Sequence, residues 1–229
     1  MFTLPRLTAK LAVVASFGAL LVTARVAAAQ SGSGVLTFAI LGGPAVTCTS
    51  STTTGDIGVG SSAAFTNTGC SISGNIHAGD AVAAQAYNDY LNTYNNIAAA
   101  ACSGATLTGT LAGRTLAPGV YCVSAEAKTG VLTLNGPATG SWTFKVTDGA
   151  NTGALTGTSF SVVMAGGGQA CNVIWWSEAA ATLTDSNLKG NILSGAGLTL
   201  TRGSIVGRAL AKAGVTLTGV TSLGVGSCV

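Results

Sequence analysis

The last third of the chain carries a repeated pattern of hydrophobic and polar positions. Three stretches that begin at Trp175, Ile192 and Ala209 are related by a constant offset of 17 residues. Threonine, leucine and glycine coincide between the copies at Thr182, Thr199 and Thr216; Leu183, Leu200 and Leu217; Thr184, Thr201 and Thr218; and Gly190, Gly207 and Gly224. Three copies at one period are typical of a solenoid, in which each repeat packs on its neighbours.

Within each copy, the T-L-T segment alternates polar and apolar residues with the period of a β-strand. Such a strand turns Leu towards a core and Thr towards solvent. We expect further short strands near residues 191–194 and 204–206, with glycine at the corners because glycine adopts positive φ without strain. A repeat of this length with three short strands predicts a three-faced parallel β-helix.

An Ala-rich stretch without Gly or Pro, residues 80–101, interrupts this pattern and predicts one long α-helix. Asp80 is placed to cap its N-terminus. Residues at spacings of three and four form one apolar stripe that would cover a solenoid face: Ala83, Tyr87, Tyr90, Tyr94, Ile97 and Ala101. G-D-I at 55–57 and G-N-I at 74–76 resemble G-N-I at 190–192, so we expect the solenoid to begin near residue 36 and to resume after the helix.

The N-terminus has the features of a signal peptide. Arg6 and Lys10 precede an apolar run at residues 11–22, and Ala27 and Ala29 form an A-x-A cleavage site. We therefore predict a signal peptide at 1–29 and one mature domain at 30–229; an uncleaved membrane anchor is the alternative, although the run is short for a bilayer span.

Composition narrows the possible functions. The chain has 229 residues, of which 48% are hydrophobic and 7% charged, which excludes a disordered chain and fits one domain with a core. Seven cations and seven acids remain after residue 29. The near-neutral mature chain gives no electrostatic reason to expect nucleic acid or an anionic membrane as a partner, and we expect no membrane insertion after leader removal.

Six cysteines fall in the predicted mature chain, and an even number in an exported protein indicates disulfides. Fifteen connectivities are possible. We expect sequential pairing, Cys48–Cys70, Cys102–Cys122 and Cys171–Cys228, because each pair closes a segment that reads as a loop or a coil. A metal site is not expected, since there is no C-x-x-C motif and His77 is the only histidine.

The pattern of reactive residues does not favour an enzyme. The acids are scattered, no catalytic triad can be assembled around His77, and no nucleophile-elbow or phosphate-loop motif is present. Trp175 and Trp176 are adjacent on a predicted strand, so we expect one of them to be exposed. No cofactor is expected.

The order and spacing of several segments resemble the bacterial and fungal ice-binding-like family. The resemblance runs from about Phe38 to the C-terminus. The segments that carry it are FAILGGPAVT (38–47), GDIGVG (55–60), SGNIHAGDAVAAQAYNDYLNTYN (73–95), LAGRTLAPGVY (111–121), GQACNVIWW (168–176), LKGNIL (188–193) and GRALAKAGVTL (207–217). The resemblance implies a right-handed, discontinuous β-solenoid with one long helix packed alongside, and extracellular or periplasmic ice binding without a cofactor.

Ice presents an uncharged ordered lattice, and a rigid array of threonines suits it. Threonines at alternate positions of stacked strands lie about 6.7 Å apart along a strand and about 4.8 Å apart between strands. Six residues would form such a grid: Thr182, Thr184, Thr199, Thr201, Thr216 and Thr218. A solvated face of ordinary strand residues is the alternative, since Thr favours strands in any case.

A second face is also a candidate ice-binding surface. Members of the resembled family that are associated with strong activity carry T-[AG]-x-[TN] on a neighbouring face, where this chain has D-S-N-L (185–188), R-G-S-I (202–205) and G-V-T-S (219–222). Alternation leaves Asn187, Ser204 and Thr221 outward there, with Asp185 and Arg202 on adjacent coils as an expected ion pair.

The sequence therefore predicts a secreted ice-binding protein that acts as a monomer. An extracellular structural or adhesive solenoid without ice activity is the runner-up, and a carbohydrate-active enzyme is a distant third.

Overall fold

Short parallel strands make up most of the computed structural model, which describes residues 35–62 and 64–226. The predicted signal peptide lies outside these residues. In chain order the strands are β1 (Phe38–Gly42), β2 (Ala45–Thr49), β3 (Thr52–Thr54), β4 (Asp56–Val59), β5 (Ala64–Thr68), β6 (Ser71–Ile72), β7 (Ile76–Ala78), β8 (Thr115–Leu116), β9 (Gly119–Val123), β10 (Lys128–Asn135), β11 (Trp142–Val146), β12 (Leu155–Ala165), β13 (Val173–Ser177), β14 (Ala181–Lys189), β15 (Asn191–Ser194), β16 (Leu198–Val206), β17 (Ala209–Ala211), β18 (Val215–Thr218) and β19 (Ser222–Gly224). The helix α1 spans Ala81–Ala99, and short 3-10 turns lie at Val35–Thr37 and Ala170–Asn172.

The strands form three faces of a parallel solenoid, as predicted. The first face is an eight-stranded sheet in the order β7-β4-β1-β17-β15-β13-β11-β9. The second and third faces share the long strands β12, β14 and β16, which turn a corner at Ser159, Asp185 and Arg202, where φ is 50°, 52° and 57°. On the second face, the sheet extends from the first halves of these strands to β18, β2 and β5. On the third face, it extends from the second half of β16 to β19, β3 and β6.

The solenoid is discontinuous in sequence. We call one turn of it a coil. The last coil, β17–β19, is hydrogen-bonded to the first coil, β1–β3, through the pairs Ala209–Ile40, Thr216–Thr47 and Leu223–Thr53. The second coil, β4–β6, stacks beyond the first, and α1 then leads the chain along the first face to the opposite end, where β8 and β9 begin. The predicted interruption and resumption are thus confirmed.

Two apolar layers hold the solenoid and the helix together. Inside the coils, the rings of Phe144 and Trp175 stack with centroids 4.1 Å apart, and leucines such as Leu200 are buried. Between α1 and the first face, Trp176 packs against Tyr94 with ring centroids 5.0 Å apart. The expectation that one of the two adjacent tryptophans is exposed was wrong, because α1 covers the outward side of β13 and both are buried.

The helix begins close to where the sequence predicts. Asp80 is its N-cap, and its Oδ1 accepts a hydrogen bond from the Ala83 amide at 2.8 Å. Tyr90, Tyr94 and Ile97 of the predicted stripe are buried against the solenoid. Ala101 follows the end of the helix and is exposed.

Two of the three predicted disulfides are confirmed. Cys48 is bonded to Cys70, and Cys102 to Cys122. The first joins the first two coils, and the second ties the segment after α1 to β9. The pair Cys171–Cys228 stays a prediction, since Cys228 lies outside the described residues.

Candidate functional site

The six predicted threonines lie side by side on the second face. Strand register pairs Thr182 with Thr199 and Thr199 with Thr216, and one position further along the face it pairs Thr184, Thr201 and Thr218 in the same way. The intervening Leu183, Leu200 and Leu217 are buried, so the threonines point outward. The geometry of the predicted grid is therefore present.

The grid extends over three further strands that the sequence analysis did not include. Strand β12 adds Thr156 and Thr158 beside β14. At the other end, β2 adds Thr47 and Thr49 beside β18, and β5 follows with another pair. We call the resulting two rows over six strands the threonine face: Thr66, Thr47, Thr216, Thr199, Thr182 and Thr156 in one row, and Thr68, Thr49, Thr218, Thr201, Thr184 and Thr158 in the other. Ideal strand spacing makes it about 24 Å long.

These additional threonines escaped detection because their coils depart from the repeat. Thr156 precedes Thr182 by 26 residues instead of 17, and the residue between the threonines is Gly157, Cys48 or Asn67 instead of Leu. A looser sequence signal was available, because Gly or a polar residue follows the second threonine of each T-x-T of the face. Every T-x-T of the face is followed directly by a residue with positive φ, which turns the chain onto the third face: Ser50, Gly69, Ser159, Asp185, Arg202 and Gly219.

The surroundings of the threonine face leave it open. Two residues before the first threonine of each strand stands a small residue, Ala or Gly, at positions 45, 64, 154, 180, 197 and 214. Along the opposite side, Arg202 forms a bidentate ion pair with Asp185, with N–O distances of 2.6 and 2.7 Å. This pair confirms the expectation for adjacent coils, and its hydrogen bonds hold the pKa of Asp185 below its usual value. The face itself consists of uncharged side chains.

The hydroxyl groups of the threonine face form no hydrogen bonds with other residues that the structure describes. Within residues 35–62 and 64–226, none of the twelve donates or accepts a side-chain hydrogen bond with another protein group. Their χ1 angles are stiff because Thr is β-branched. The face therefore offers fixed hydrogen-bond donors and acceptors, each beside a methyl group, to a binding partner on its solvent side.

The neighbouring third face has a different character. Asn187 and Ser204 lie in register, and the Ser204 hydroxyl donates to Asn187 Oδ1 at 2.7 Å. Thr221 does not continue their row, because Val220 is turned into the core and Ser222 stands opposite Ser204. The Thr221 hydroxyl donates to the Gly203 carbonyl at 2.9 Å. The hydroxyls of Ser204 and Thr221 are thus already engaged.

His77, Asp80 and Glu178 form contacts that hold the local structure. His77 Nδ1 lies 2.7 Å from Oδ2 of Asp80, the helix N-cap. The Glu178 carboxylate accepts hydrogen bonds from the Thr147 hydroxyl and the Gly153 amide, which fixes the loop before β12. No group of three or more His, Cys, Asp or Glu that could hold a metal ion occurs in the described part of the chain. Over the same residues, no helix is long and apolar enough to cross a membrane.

A solenoid with a broad, uncharged and regular polar face has the architecture expected of a protein that binds an ordered surface. The sequence matches the family described as "Ice-binding-like" over residues 40–222. The chain belongs to this family, as its motifs predicted. Ice-binding proteins are not enzymes, so the expectation that the chain is not an enzyme is confirmed.

Individual relatives support this assignment. An "Ice-binding protein" of Nostoc sp. (strain HG1) is 38% identical over 162 residues, which are 69% of this chain and 59% of the relative. The chain thus spans less than two thirds of that relative's length. A crystal structure of an ice-binding protein from the Antarctic ascomycete Antarctomyces psychrotrophicus has a TM-score of 0.77 at 29% identity, covering 85% of this chain and 97% of the other. An ice-binding protein from an Antarctic bacterium of the Flavobacteriaceae has a TM-score of 0.75 at 32% identity, covering 83% and 46%.

Proposed function

We propose that the protein binds ice through the threonine face. The observation that carries the proposal is the regular array of twelve outward threonines, whose hydroxyls have no hydrogen-bond partner among the described residues. Similarity to proteins named as ice-binding supports it.

The physical argument rests on regularity. Spacings of about 4.8 Å and about 6.7 Å are comparable to repeats in an ice lattice, so many hydroxyls can take lattice positions at once. Each contact is weak, and their sum over a rigid surface gives adsorption because little side-chain entropy is lost. Adsorbed molecules block the ice surface where they bind, so ice can advance only between them and its front becomes curved. This curvature opposes growth and recrystallisation.

The same array favours ice binding over a structural or adhesive solenoid, and it favours this face over the third face. A structural or adhesive solenoid needs no free hydroxyls in register across six strands. The third face is the alternative ice-binding surface, yet its Asn187, Ser204 and Thr221 are occupied by internal hydrogen bonds.

We further propose that the protein is secreted, needs no cofactor and acts as a monomer. The charged leader with its A-x-A site supports export. Disulfides at Cys48–Cys70 and Cys102–Cys122 support an oxidising compartment.

The experiment combines ice uptake during slow freezing with thermal hysteresis of two variants. Thr201→Tyr places a bulky side chain on β16, one of the two central strands of the threonine face. Ser204→Tyr places the same side chain on the same strand, beyond the corner at Arg202. Both sites lie on the surface, so we expect each change to alter stability by no more than about 0.5 kcal/mol.

We expect the unmodified protein to enter growing ice and Thr201→Tyr to lose most of its hysteresis, while Ser204→Tyr retains it. Loss with Ser204→Tyr alone would assign ice binding to the third face. An unmodified protein that shows neither ice uptake nor hysteresis would favour the structural or adhesive solenoid.

A further inference from the structure

Three tyrosines of α1 contact three successive coils in the same way. The hydroxyls of Tyr94, Tyr90 and Tyr87 donate to the carbonyls of Ser177, Ser194 and Lys212, at 2.9, 2.6 and 2.7 Å. Ser177 ends β13, Ser194 ends β15, and Lys212 directly follows β17. Each carbonyl therefore lies at the same corner of its coil.

This corner leads directly into the threonine face. From it the chain enters β14, β16 and β18, which carry Thr182, Thr199 and Thr216 in one row and the threonine two residues later in the other. Each tyrosine hydroxyl is thus joined, through four or five residues of backbone, to one threonine pair.

The spacing of the tyrosines matches the spacing of the coils. Steps of four and three residues along an α-helix advance about 6 and about 4.5 Å, and their mean of about 5.3 Å is close to the strand spacing of about 4.8 Å. The helix is held at further points. Trp176 Nε1 donates to the Tyr94 carbonyl at 3.1 Å, and Lys145 Nζ donates to the Ala98 carbonyl at 2.8 Å at the helix C-terminus.

A helix that is hydrogen-bonded to the same corner of three successive coils constrains the solenoid in a way that backbone pairing alone does not. Parallel strands tend to rotate by roughly 20° relative to each neighbour, and flat sheets depend on side-chain ladders or stacking. Corners that are bonded to one helix must stay nearly in line, which opposes this rotation.

We propose that Tyr87, Tyr90 and Tyr94 are positioning residues that keep the threonine pairs of β14, β16 and β18 aligned for ice. This inference rests on the proposed function. Their hydroxyls act through the corner carbonyls and contact no ice. Functional arrays of this kind must be held to within about 0.5 Å by supporting contacts, and the three tyrosines supply such contacts.

The test replaces the hydroxyls and keeps the rings. The variant carries Tyr87→Phe, Tyr90→Phe and Tyr94→Phe together, and Tyr90→Phe alone serves if the triple variant does not fold. The Ser177 and Ser194 carbonyls also accept backbone hydrogen bonds from Gly195 and Lys212, so they are not left without a donor. Tyr121→Phe is the matched control, because the Tyr121 hydroxyl donates to the Ala117 carbonyl within its own coil at 2.7 Å.

Two measurements are made near 0 °C on protein shown to be folded. The first is threonine methyl order by NMR, which does not involve ice. We expect the methyl groups on β14, β16 and β18 to become more mobile in the triple variant and to stay unchanged in Tyr121→Phe. The second is thermal hysteresis, which we expect to fall several-fold in the triple variant alone.

The two measurements separate the two proposals. Unchanged methyl order in the folded triple variant overturns the positioning role, whatever the protein does to ice. Increased mobility with full hysteresis also overturns it, because alignment would then not matter for binding. If the unmodified protein shows no hysteresis while the threonine methyl groups do loosen, ice binding fails and the tyrosines still align the face.

Discussion

At the scale of single residues, Gly195 sets how closely α1 approaches one corner of the solenoid. A Cβ added at Gly195 would lie 1.9 Å from the Glu178 carbonyl oxygen and 2.4 Å from the Tyr94 hydroxyl oxygen. A Cβ at Gly197, two residues further along the same corner, would meet nothing closer than 3.6 Å. Only the first glycine is therefore required by its surroundings.

Gly195→Ala is expected to lower the free energy of unfolding by about 1–3 kcal/mol, because backbone or helix must move to make room. Gly197→Ala should change it by no more than about 0.5 kcal/mol, as for an ordinary surface site. Urea denaturation of both variants measures the difference. Equal stability of the two would contradict the close packing of α1 on this corner.

At the scale of elements, the helix is attached through hydroxyl groups that resist ionisation. Burial raises the pKa of Tyr94 to about 12, and it also raises the pKa of Tyr90. An unfolded tyrosine ionises near pH 10. Between these values the folded state holds more protons than the unfolded state, so stability falls as the pH rises.

We therefore expect the protein to be stable towards urea up to about pH 10 and to lose stability from there to about pH 12. The urea midpoint, measured across this range, should fall less steeply in Tyr94→Phe than in the unmodified protein. Parallel curves for the two proteins would show that Tyr94 does not titrate as its burial implies.

The regular elements were predictable from sequence, and the irregular ones were not. The offset of 17 residues located β14, β16 and β18, because each of these coils has the same length. It could not align β12, since the coil between Thr156 and Thr182 contains the 3-10 turn at Ala170–Asn172. Alternation within β13 predicted an exposed tryptophan, and this was wrong because α1 covers the outer side of the strand. The alternation of one strand contains no information about a helix that is distant in the sequence.

At the scale of the whole molecule, the two confirmed disulfides close similar lengths of chain at different places. Cys48–Cys70 spans 22 residues beneath the threonine face, and Cys102–Cys122 spans 20 residues at the opposite end. The entropy that each removes from the unfolded chain is accordingly similar.

Replacing both cysteines of either pair by alanine is expected to lower the free energy of unfolding by about 2–4 kcal/mol. Only the Cys48→Ala, Cys70→Ala variant should also reduce thermal hysteresis, because Cys48 lies between Thr47 and Thr49 and anchors their strand. Urea denaturation and hysteresis near 0 °C test the two statements separately. Equal hysteresis in both double variants would show that the end strands of the threonine face contribute little to binding.

The contact between the first coil and the coil β17–β19 also determines the order in which parts of the chain can fold. Strands β1–β3 leave the ribosome before one of their two neighbours, β17–β19, has been synthesised. Pairing between such distant segments makes folding slow, since a long loop must close before the pairing stabilises anything. Until then the first coil carries unpaired strand edges, which are prone to aggregate. The two rows of threonines become continuous only when the coil β17–β19 docks on the first coil. A chain in which this coil has not docked therefore lacks a complete threonine face.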